Sequence, residues 1–175
     1  MSLVVERIGD LIEAAPKSGA KAAIYLGVLS SIMRLADDSQ AITRFAECLA
    51  LAGQGCKESG GSTLCQTGCA SVFLVKASDG SIVAKYSDTA GSLKVGGGEV
   101  EIKTEEARLK ILPRTLIVGL RSGDGWREIE IDSASVDDVV NNAYFVKYAV
   151  RKVGRLVRTL QWDLRGCARA RAVTC

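Results

Sequence analysis

From Ser135 to about Arg171, apolar residues recur in steps of three and four: Val139, Ala143, Val146, Val150, Val153, Val157, Leu160, Leu164 and Cys167. That spacing predicts one long amphipathic helix with a packing seam. Ser135 stands where an N-cap belongs, and Asp137 and Asp138 suit the positive end of the helix dipole. Gly154 and Gly166 are the two places where such a helix would bend or stop. Three shorter helical patterns come first. Val4, Val5, Ile8, Leu11 and Ile12 share a face over 3–14, and Pro16 follows its end. Residues 20–36 are apolar almost all round and predict a buried helix. Ser39 precedes a third pattern at about 40–52, with Ile42, Phe45, Ala46 and Leu49 on its inward face.

At Ala70 the period changes from helical to alternating. Val72 to Val75, Ile82 to Tyr86 around the Asp79-Gly80 turn, Leu93 and Val95, Val100 and Ile102, Leu109 and Ile111, Leu116 to Leu120, and Trp126 to Ile131 predict five to seven short antiparallel strands. Residues 53–69, rich in glycine, small polar residues and cysteine, read as a loop. The fold class expected is α+β. A helical bundle of three N-terminal helices plus one long C-terminal helix is interrupted by an inserted antiparallel β-sheet domain. The helical part spans 1–52 and 133–175, the cysteine/glycine-rich loop 53–69, and the β insert 70–132.

Charge changes the picture only when it is divided along the chain. Residues 1–52 hold five basic and six acidic side chains, 53–132 hold ten and eleven, and 133–175 hold eight and three. The whole surplus lies in the last quarter, which points to an anionic partner. It is also ordered there. Lys147, Arg151, Arg155, Arg158, Trp162, Arg165 and Arg169 recur in helical steps opposite the apolar seam. Cations spaced along a rigid support suit phosphates, and an indole among them suits a nucleobase, so RNA or DNA is the expected partner. An acidic protein surface and a plain solvated face are the competing readings. The longest apolar stretch, Ala22 to Met33, is too short to span a bilayer. A soluble, cytoplasmic protein without a membrane partner is expected.

Histidine is absent from the 175 residues. That removes the commonest general base, the Ser-His and Cys-His nucleophile pairs and every imidazole zinc site. Six cysteines stand at Cys48, Cys56, Cys65, Cys69, Cys167 and Cys175. The first four lie close enough in sequence to suggest a metal site, yet only Cys65 and Cys69 have zinc-like spacing. Disulfides are the favoured reading, as in the oxidised cytosol of a thermophile. Cys167–Cys175 and pairs within 48–69 are the candidates. Gly96-Gly97-Gly98 lacks the Lys-Ser/Thr of a phosphate loop and joins two strands. No cofactor, metal or catalytic residue is implied.

Helices at 3–52, a β segment at 70–132 and a basic helix at 136–171 together resemble one family, the small subunit of archaeal subtype I-A CRISPR surveillance complexes. The resemblance implies a non-enzymatic subunit of an antiviral ribonucleoprotein that holds guide RNA and target DNA beside other protein subunits. It carries no individual site residues. A non-catalytic nucleic-acid-binding subunit is therefore the expected function. The alternatives are a cysteine-based redox or metal-binding protein and an oligomer joined by a C-terminal coiled coil.

Overall fold

Alternation of buried and exposed positions marks the strands from Ala70 onward, and pairing turns them into one sheet. A computed structural model describes the backbone of residues 3–40, 42–45, 48, 55–67 and 70–165, and the side chains of the last helix as far as Arg158. The strands are β1 (Cys56–Ser59), β2 (Ser62–Thr67), β3 (Ala70–Lys76), β4 (Ile82–Ser87), β5 (Gly91–Gly96), β6 (Glu99–Thr104), β7 (Ala107–Ile111), β8 (Thr115–Ser122) and β9 (Gly125–Asp132). Each pairs antiparallel with the next, so the order in the nine-stranded sheet is the order in the chain. Short turns allow this. Gly97 and Gly98 join β5 to β6 with φ of +62° and +77°, the left-handed pair that a twisted two-residue hairpin requires.

The register separates two faces. One unbroken row crosses the outer face: Lys57, Leu64, Phe73, Lys85, Lys94, Glu101, Lys110, Ile117 and Glu130. The inner face carries Val72, Leu74, Ala84, Tyr86, Leu93, Val100, Ile102, Leu109, Ile111, Leu116, Val118 and Ile131, all buried.

Among the described residues, the helices on that side of the sheet are α1 (Leu3–Glu13), α2 (Ala20–Ser39), α3 (Val136–Asn141) and α4 (Ala143–Arg165). Helix α4 crosses β5 to β8, α1 touches β6, and α3 touches β9. Helix α2 packs over α1, α3 and α4. Residues 42–45 are helical too, and Phe45 meets Tyr86 of β4 edge-on at 6.3 Å. Tyr25 of α2 ties the layers together, its hydroxyl donating to the Ser133 carbonyl beyond β9 at 2.9 Å.

The expected helical bundle with an inserted sheet is therefore corrected. The protein is mostly sheet, with its helices laid on one face, and strands and helices share one hydrophobic core. Val146, Val153, Leu156 and Val157 of α4 lie in that core, at most 2% exposed. Burying four such side chains is worth about 6–12 kcal/mol, as much as a whole domain's net stability. A one-sided helix and one-sided strands each need a cover, and here they cover each other. Two further expectations change. Residues 56–67, read as loop, form β1 and β2. The single helix from Ser135 is two, interrupted at Asn142, whose amide Nδ2 donates back to the Asp138 carbonyl at 2.8 Å. Ser135 does cap α3, accepting from the Asp138 amide at 3.3 Å. Gly154 stands within unbroken helix.

Candidate nucleic-acid interface

The seam of α4 fixes which way its other side points. Val146, Val153 and Val157 are buried and Ala143 and Val150 pack against the same core. With 100° between successive residues, the opposite side must face outward. Lys147, Arg151, Arg155 and Arg158 are all exposed there. They fall within an arc of about 80°, Lys147 and Arg155 at its edges. The sequence holds no Asp or Glu between Asp138 and Asp163, so no acid interrupts the arc. Among the described residues, Lys147, Arg151 and Arg158 take part in no ion pair.

Trp162 and Arg165 continue the same helix, but their side chains lie outside the described residues, and Arg169 lies outside them altogether. The structure thus brings together four of the seven expected residues.

Three residues that the sequence did not single out join this surface. Arg34 comes from α2, which runs alongside α4. The two helices enclose a groove of about 350 Å³ lined by Ser30, Ser31, Arg34, Leu35, Asp38, Val150, Arg151, Gly154, Val157 and Arg158. Three guanidinium groups face one carboxylate there. Tyr144 and Tyr148 are the other two, 87% and 43% exposed. They stand seven and three residues before Arg151, so the helical steps that link the arginines, carried backwards, reach them. Arg34 left no such trace, because its place depends on how α2 packs.

One cation on α4 is used differently. Lys152 reaches Glu106, in the β6–β7 turn, at 3.0 Å, and its ammonium lies 5.3 Å from the centre of the Tyr148 ring. The hydrogen bond to Glu106 holds the lysine above its usual range. This clip anchors the side of α4 to the sheet.

The cysteines bear on the expected disulfides. Cys56 and Cys65 are paired across β1 and β2 in a disulfide, with Cα atoms 4.0 Å apart. Cys48 is also disulfide-bonded, and no described cysteine is free. Sulfur so engaged supplies no thiolate to a metal. Cys69, Cys167 and Cys175 lie outside the described residues. Among the described residues no helix is long and apolar enough to cross a membrane.

No protein family, curated protein or solved structure matches the chain.

Proposed function

We propose that this chain is a non-catalytic, cytoplasmic nucleic-acid-binding protein that works as a subunit of a larger ribonucleoprotein. One observation carries the reading: Lys147, Arg151, Arg155 and Arg158 are exposed within one arc of a helix whose opposite side is locked into the core. Cations held on a rigid rod meet successive phosphates at little cost in ordering, and each contact releases condensed counterions. Arg34 widens the positive surface across the groove. The coiled-coil alternative loses its seam, since the described part of the seam is already covered within the chain.

Salt dependence tests it. Four phosphate contacts give log affinity against log salt a slope of about −2.8 on single strands and −3.6 on duplex. Arg151, Arg155 and Arg158 changed together to Ala should bring that slope to about −1 and weaken binding similarly for every sequence, because phosphate contacts carry no base information. All three are exposed, so the fold should persist. If the folded triple variant binds RNA and DNA at low salt as the parent does, the arc is a solvated face and the proposal fails.

A further inference from the structure

We infer that the strand bound on α4 is single, and that Tyr144 and Tyr148 stack on its bases. This rests on the polyanion reading above and adds what phosphate contacts leave undetermined, namely whether the ligand is single or double. The tyrosines and the cations share one arc. Taking Arg151 as zero, Tyr144 lies at about +20° and Tyr148 at about +60°, against −40° for Lys147, −20° for Arg158 and +40° for Arg155. A base approaching the rings thus brings its backbone over the cations.

Tyr144 is 87% exposed, so its ring is not explained by packing within the chain. Tyr148 is held from its own side of the helix by Lys152, itself tied to Glu106, and keeps 43% of its surface open. The two are one turn apart, about 6 Å along the axis, close to twice the ~3.4 Å rise per nucleotide of a stacked strand. From Tyr144 to Arg158 the arc is about 21 Å long, room for several nucleotides laid lengthwise.

A duplex fits this surface poorly. To reach base edges a helix must enter a major groove about 12 Å wide. Here α2 lies beside α4 and shares its outward groove, so the pair presents a surface about 20 Å across. An open strand lies along such a surface with its bases free to meet the rings, whereas a duplex keeps its bases inside.

The experiment uses the full chain and labelled 12-nucleotide adenine-rich RNA and DNA single strands, with a 12-base-pair duplex of the same DNA sequence, read by fluorescence anisotropy at 50 and 200 mM salt. The single strands should bind at least tenfold more tightly than the duplex. Tyr144→Ala should weaken single-strand binding about 5- to 150-fold with the salt slope unchanged, and Tyr144→Phe should retain most of the affinity. Tyr148→Ala should add a further loss. Circular dichroism confirms the fold of each variant. If Tyr144→Ala and Tyr148→Ala together bind the single strands as the parent does, or the duplex binds equally well, the stacking inference is overturned. The polyanion reading still stands in that case if the triple arginine variant weakens every ligand. If the parent binds none of the three at 50 mM salt, both fall.

Discussion

A glycine in the middle of α4 offers a test of the helix packing beneath the proposed interface. Gly154 is buried and lines the groove beside Arg158. Glycine in a helix interior costs about 1 kcal/mol relative to alanine, because its backbone loses more freedom on folding. A β-carbon built at Gly154 meets only the Nη1 atom of Arg158, at 3.5 Å, an ordinary contact with the end of a flexible side chain. No atom of α2 comes within 4 Å of it. Gly154→Ala should therefore stabilise the protein by about 1 kcal/mol, which raises Tm by about 2–4 °C at this chain length. Gly27 of α2 has the same freedom, its nearest neighbour being Lys147 Nζ at 3.9 Å. The two substitutions together should give about 2 kcal/mol if they act independently. Urea unfolding followed by far-UV circular dichroism reads this directly, with the midpoint raised and the m-value unchanged. A loss of stability in either variant would mean that α2 and α4 approach more closely than the geometry allows, and the reasoning would fail. The methyl also probes binding. It adds no charge and meets the arc only in an ordinary contact with the flexible end of Arg158, so the salt slope of Gly154→Ala should equal the parent's. A stabilised variant that no longer binds would place the ligand in the groove instead of along the arc.

Three further outcomes follow from the geometry. Ser133 is buried and its hydroxyl has no partner among the described residues, although its amide donates to the Arg114 carbonyl at 2.8 Å and its carbonyl accepts from Tyr25; Ser133→Ala should gain about 1 kcal/mol, and a lower Tm would refute this. A β-carbon at Gly91 would overlap the Lys103 carbonyl oxygen across the β5–β6 pair, so Gly91→Ala should cost about 3 kcal/mol or more, visible as a Tm drop of several degrees; an unchanged Tm would show that these strands can part. The hydrogen bond from Lys103 holds the Glu101 carboxyl below its ordinary range, with Lys110 and Lys94 adding to it. A lowered folded value stabilises above the unfolded value, about 4.5, and is lost as pH falls through the folded one. Glu101→Gln should thus be less stable than the parent near pH 7, the gap closing below about pH 4.5; a gap independent of pH would exclude that cause.

The seam and the basic stripe were legible because each is a property of one helix, written in its own period. Val139, Val146, Val153 and Val157 are buried as the spacing requires, and Lys147, Arg151, Arg155 and Arg158 face outward. What covers the seam was not legible. Period shows that a helix is one-sided, and many surfaces satisfy that need, so the expected bundle and the observed sheet fit the same valines. The strands held the missing information, since seven alternating segments from Ala70 onward have an inner face too large for the outer solvent to cover. Residues 56–67 hid their strands for another reason. Cys-Lys-Glu-Ser in β1 has no apolar alternation, and it is a strand through pairing with β2, with Cys56 opposite Cys65. Asn142 was unreadable as a break because asparagine is tolerated in helices, and only its bond back to Asp138 shows what it does.

The sheet also supplies what the proposed function would ask of a helix of modest length. An isolated helix pays to be ordered each time it meets a ligand, and its side chains sample many directions. Helix α4 has already been ordered by folding. Its inner side is fixed to β5 through β8, α2 braces one flank, and the Lys152–Glu106 clip holds the other. The Cys56–Cys65 disulfide ties β1 to β2 at the edge of the same sheet. On the proposed reading, Tyr144 and the four cations would keep one spacing whatever strand arrived, and recognition would rest on the regular backbone and the common π-face of nucleobases rather than on sequence.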